Sequence, residues 1–258
     1  QVVREELGLD KPIHEQYITY VTGLLKGDLG TSLRTKRPVA VEVSNRYANT
    51  AKLTLLALAW STIVGVLLGV WSGRHRSRWQ DYTGMTLAVS GISLPSFWVG
   101  FMLIMVFSVN LKWFPTTGAD SLKSLVLPSI ALGSSIAAII ARFTRSSIIE
   151  VLKEDYIRTA RAKGLRVRVV VWKHAFRNAM ISVVTVVGLQ FGFLLGGSVV
   201  TESVFAFPGL GSLLVESVNY RDYPAIQSLI LIFSLHFVVI NLIVDVLYAV
   251  LNPEIQLD

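Results

Sequence analysis

Five stretches of this chain carry no Asp, Glu, Lys or Arg and are each long enough to cross a bilayer. They are Leu53–Trp71 (19 residues), Tyr82–Leu111 (30), Leu125–Ala141 (17), Met180–Val200 (21) and Pro224–Val244 (21). A hydrocarbon core needs about 20 apolar residues as helix, with a range of roughly 17–25. Lipid supplies no hydrogen-bond partners, so a spanning segment must pair its own backbone groups, which selects the α-helix. One such stretch alone reads equally well as a buried core helix. Five in 258 residues predict an all-α polytopic membrane protein. Composition agrees: 16% of residues are charged, whereas soluble domains carry about a quarter.

The 30-residue stretch is too long for one straight span, and Pro95 lies in its middle. Proline removes a backbone donor and clashes with the preceding turn, so a kinked, tilted helix is expected. Charge then sets direction. The net charge is +7, and basic residues fill alternate loops. Arg74, Arg76 and Arg78 follow the first span, and ten Lys and Arg lie in 142–178. Loop 112–124 holds only Lys112 and Lys123, and loop 201–223 only Arg221. The rich loops are expected in the cytoplasm. This placement points to lipid rather than nucleic acid. Residues 1–49 then lie outside, so a cytoplasmic N-terminus would require a preceding span, and six spans are expected in the full protein.

Three parts are expected: an extracytoplasmic segment 1–49, a transmembrane domain 50–251 containing the cytoplasmic loop 142–178, and a short cytoplasmic tail 252–258. In the first part, Pro12 suits a helix start. Ile13, Tyr17, Tyr20, Val21 and Leu24 share one helical face, predicting a surface helix that rests on the membrane domain. Gly27-Asp28-Leu29-Gly30 reads as a turn. Two small-residue ladders, Gly65/Gly69/Gly73 and Gly188/Gly192/Gly196, are candidate packing faces, because glycine lets backbones approach closely.

Little in the chain supports catalysis. It has no cysteine, so disulfides, thiolate metal sites and Cys nucleophiles are excluded. His14, His75, His174 and His236 are scattered, and no HExxH or Walker A sequence occurs. Any ATP must therefore be bound by another subunit. His236 and Asp245 are the ionisable groups of the last span. They leave open a stand-alone proton-coupled secondary transporter, although only one span is proline-broken and inverted repeats are not evident. An intramembrane enzyme would need a catalytic pair at membrane depth, and none is found.

The most informative region is the basic loop. Ser147-Ile148-Ile149-Glu150 fits a capping box. Next comes Glu154-Asp155-Tyr156-Ile157-Arg158-Thr159-Ala160-Arg161-Ala162-Lys163-Gly164. Asp155 is expected to cap a helix, with Glu154 adding negative charge at its positive end. Arg161 and Lys163 suit the other end, and Gly164 suits a left-handed stop. The result is an eight-residue basic helix with Ala160 and Gly164 on one side, shaped to sit in a groove on a partner.

Asp155–Gly164, followed by Lys173-His174-Ala175-Phe176-Arg177-Asn178-Ala179, resembles the "EAA" loop signature of binding-protein-dependent ABC importer permeases. More narrowly it resembles the dipeptide/oligopeptide/nickel/glutathione permease family, B-type subunit. Further matches run in order along the chain: Gly8-Leu9-Asp10-Lys11-Pro12, Gly27–Gly30, Leu189–Gly197, Glu202–Gly211, Arg221-Asp222-Tyr223-Pro224 and Asn241–Asp245. The general pattern has Glu where this chain has Arg158, followed here by Thr159, and His236 matches no motif. The resemblance implies a type I importer fold and a non-enzymatic permease subunit in a bacterial inner membrane. It implies a heterodimer with a second permease, two ATPase subunits that hold ATP and Mg, and an extracytoplasmic binding protein. Asp155, Tyr156, Arg158, Thr159, Ala160, Arg161, Ala162, Lys163 and Gly164 would couple to the ATPases. Glu202, Phe207 and His236 are candidates for the pathway or an external gate. Ala206-Phe207-Pro208-Gly209 is expected to dip toward the pathway or meet the binding protein.

Overall fold

The computed structural model describes residues 11–251, with side chains to 246. Gly8-Leu9-Asp10 and the expected tail 252–258 lie outside the described residues. The described chain is helical, with one isolated bridge between Thr31 and Pro38. Its helices are α1 (Ile13–Leu25), α2 (Val39–Arg74), α3 (Trp79–Ser93), α4 (Ser96–Leu103), α5 (Leu122–Val151), α6 (Asp155–Ala162), α7 (Val167–Val204), α8 (Leu210–Asn219) and α9 (Tyr223–Leu251). Helices α2, α5, α7 and α9 are each long and apolar enough to cross a membrane. The pair α3–α4, with α4 continuing as a π-helix over Ile104–Asn110, makes the fifth crossing.

The kink expected at Pro95 is in fact a break. Trp79–Ser93 and Ser96–Asn110 meet at 101°, with Leu94 and Pro95 both extended. Pro95 offers no N–H to the Gly91 carbonyl, and its ring disfavours helix at Leu94.

Contacts between helices fix their directions. A Cβ on Gly65 would lie 2.7 Å from the Ala137 carbonyl, and one on Gly69 2.5 Å from Thr144 Cβ. On Gly73 it would meet Ile148 Cγ2 at 3.0 Å. Residue numbers rise together, so α2 and α5 run parallel along the most extensive seam of the bundle. The second ladder packs antiparallel: Gly188 faces Val244 and Gly192 faces Phe237, while Gly196 has open space around it. Gly91 of α3 meets Ser134 and Ala138, and Asp81 bonds Arg145, so α3 runs against α5. The five crossings therefore alternate, and both basic loops fall at one end, the basic end. The poor loops share the opposite, far end.

Three expectations need correction. The boundary at 49/50 falls inside α2, whose first turns bury Val39 and Val43 against Leu210, Leu213, Ala225 and Leu229. Segment 201–223 is not merely a loop, since it contains α8. Ser147–Glu150 is no capping box: these residues lie in the last two turns of α5, where the backbone is already helical. Helix α1 forms as expected but buries none of its residues.

Candidate functional site

Two constructions, one at each end, take up most of the candidate residues. At the basic end α6 spans Asp155–Ala162, with Glu154 rather than Asp155 in the N-cap position. Asp155 instead accepts from the Arg158 guanidinium at 3.2 Å, on the exposed side. Ile157 and Ala160 are buried against Val170 and Ala175 of α7, with Val151 and Leu152 alongside. Ala160 is therefore small because its own chain comes close, which corrects its assignment to a partner-facing side. Tyr156 Oη accepts a 2.6 Å hydrogen bond from Asn178 Nδ2, joining the two halves of the loop signature. Gly164 ends the helix at φ +75° with nothing within 4 Å of where a Cβ would lie. Arg158, Thr159, Arg161, Ala162 and Lys163 are exposed. The helix is thus seated on its apolar edge and presents a cationic face. Its seat is π-helical, over Val170–Ala175, a backbone form common at functional sites.

At the same end lies an ion pair that sequence reading missed. Arg145 bonds Asp81 through Nε at 2.6 Å and Nη2 at 2.7 Å. Ser72 and the Ser77 N–H complete the carboxylate's partners. Asp81 is buried, so removing Arg145 would leave a buried carboxylate without its counter-charge. Only the acidic residue in the first turn of α3 hinted at it; a partner 64 residues away leaves no local signal.

At the far end Glu202 is fully buried. Its carboxylate accepts from Thr50 Oγ1 at 2.7 Å and from the Ser212 N–H at 3.0 Å, while Thr50 Oγ1 accepts from the Leu210 N–H. An anion at the N-terminus of α8 opposes its dipole favourably. Gly209 and Gly211 are required there, because a Cβ on either would strike Glu202 or the Val199 backbone. Phe207 is also buried, within the main core. Neither residue reaches the surface of this chain. The Glu202–Gly211 motif ties α7 to α2 and to the start of α8.

A second tie joins two other motifs. Asp222 accepts from Ser32 Oγ and the Leu33 N–H, and Ser228 Oγ donates to the Leu29 carbonyl. Glu216 pairs with Arg34 at 2.9 Å and Arg46 at 3.3 Å, and Arg34 stacks over Tyr220. Burial pushes the Glu216 pKa up, but the bonds from Arg46 and Arg34 outweigh it, and the carboxyl titrates below its ordinary value.

His236 borders a cavity of about 160 Å³ between α2, α7, α9 and the start of α8. Its Nε2 lies 2.6 Å from Tyr47 Oη. Asp245 is nine residues further along the same helix, roughly 13 Å at 1.5 Å per residue, so the structure does not join it to His236. Among the described residues no three His, Asp or Glu side chains converge as a metal site would require.

Residues 65–257 match the family described as binding-protein-dependent transport system inner membrane component. The chain belongs to this family. It is a multi-pass membrane permease of an ABC importer, not an enzyme. It is 55% identical to the glutathione transport system permease protein GsiC of Escherichia coli strain K12 over 256 residues, covering 99% of this chain and 84% of that protein. The GsiC of Salmonella choleraesuis is likewise 55% identical over 255 residues, covering 99% and 83%. The permease also shares its fold with solved structures. An inward-facing MetNI methionine ABC transporter superposes with TM-score 0.71 at 18% identity, over 82% of this chain and 96% of that one. An amino acid ABC transporter with histidines gives 0.63 at 16%, over 80% and 92%. These matches identify the type I importer fold.

Proposed function

We propose that this permease forms half of the path by which an ATP-driven importer carries glutathione or short peptides across a bacterial inner membrane. Its partners are a second permease subunit, two ATPase subunits holding ATP and Mg, and an extracytoplasmic binding protein. The relatives' name, glutathione transport system permease protein, supports the solute class.

The observation that carries the coupling reading is the seating of α6. Its buried side, Ile157 and Ala160, is fixed to the base of α7, and its cationic side is free. A load on the free side passes through the Tyr156–Asn178 bond and the apolar seat into α7. Helix α7 is 38 residues long, about 57 Å at 1.5 Å per residue, and its far end is locked to α2 and α8 through Glu202. Closure of an ATPase dimer beneath α6 would therefore tilt a continuous rod. Reversing a 1:99 population takes about 5.5 kcal/mol of differential binding.

Gly164→Pro tests this. Proline cannot adopt φ +75°, so the exit from α6 must rebuild while the spans stay intact. The expected result is normal membrane insertion with loss of binding-protein-stimulated ATP hydrolysis and uptake in the reconstituted complex. Wild-type stimulation in this variant would contradict the coupling role.

A further inference from the structure

The break at Leu94–Pro95 lies at membrane depth, since the turn just before it packs on Ser134 and Ala138 in the middle of α5. Both break residues are exposed on this chain. Extended backbone at such depth is tolerated only where protein buries it or where it lines a watery cavity. Below the break, α3 borders an open bay of about 560 Å³.

Met85, Val89 and Leu94 line that bay, together with one stripe of α3: Tyr82, Thr86, Ser90 and Ser93. Every member bears a hydroxyl, and none is charged. A stripe of similar spacing on α9, Leu231, Leu235, Val238 and Leu242, is exposed and has no polar atom. The two faces are built for different surroundings: α9 for lipid, α3 for something that hydrogen-bonds.

Two of the four hydroxyls are polarised in one sense. Ser90 donates to the Thr86 carbonyl at 2.8 Å and Ser93 to the Val89 carbonyl at 2.9 Å. Their protons are used, and their lone pairs remain. At these two positions the bay offers acceptors to the N–H groups of a guest.

Resting on the importer reading above, we propose that this stripe of α3, beneath the Pro95 break, lines the solute path and takes the amide and ammonium N–H groups of a peptide-like solute. Carboxylates find no cation on the stripe.

The absence of native cysteine makes the test direct. Ser90→Cys, Ser93→Cys and Leu235→Cys each place one thiol at a known position of this chain in the assembled transporter. Labelling by a charged methanethiosulfonate needs the hydrated thiolate, so both α3 thiols should react at least about tenfold faster than the α9 thiol. S-methylglutathione, added with the binding protein, should slow labelling on α3 and leave α9 unchanged. Equal rates at all three positions overturn the assignment of the path, even in a complex that still drives uptake with ATP. Fast α3 labelling that S-methylglutathione leaves unchanged overturns the assignment of the guest.

Discussion

Glu202 and Glu216 are both carboxylates of the far end, yet their surroundings give them different sensitivities. Glu202 is sealed between Thr50 and the start of α8. Glu216 is part-exposed between two arginines that depress its pKa. A carboxyl with a lowered folded-state pKa adds stability that is full above its unfolded value, about 4.3 for Glu. That stability is lost as pH falls through the lower folded value. Wild type should therefore be more thermostable than Glu216→Gln at pH 7, and the gap should close as the sample is acidified below the ordinary carboxylate range. A gap independent of pH would contradict the pairing. Neither role was legible locally. Thr50 lies 152 residues from Glu202, and Arg34 lies 182 from Glu216. The sequence displays a Glu before an aromatic, glycine-rich turn, which looks the same whether the Glu is exposed or buried. Its burial depends on α8, whose ten residues are hidden inside what reads as a loop.

At the scale of elements, the glycine ladders make unequal demands. Gly69 has no room for a methyl group, while Gly196 has nothing near it. Gly69→Ala should cost about 1–3 kcal/mol through overpacking, and Gly196→Ala should stay within about 0.5 kcal/mol. Heating in detergent followed by size-exclusion chromatography reads both; equal losses would contradict the seam. Spans and ladders were legible because lipid imposes a length and close backbone approach imposes small residues. The bounds of α6 were legible to within one residue at each end, from acidic residues at its start and Gly164 past its end. Its rotation was not: Ala160 faces inward because of Val170 and Ala175, which the sequence places beyond a turn. Pro95 announced a disturbance, but proline chemistry alone does not distinguish a bend from a 101° break.

For the whole molecule, alternation of helix direction and alternation of loop charge agree. Both basic loops are tied together at one end by the Asp81–Arg145 pair. The far end is tied by Glu202, Asp222 and Glu216. Between them α7 runs unbroken from the seat of α6 to the Glu202 lock, so the account requires force to enter at α6. The most direct measurement is to place a photocross-linking residue at Ala162, on the free side of α6, within a transporter that is taking up solute. Irradiation should yield an adduct between this permease and the ATPase subunit. A complex that transports normally while Ala162 captures only lipid, or nothing, would contradict the account.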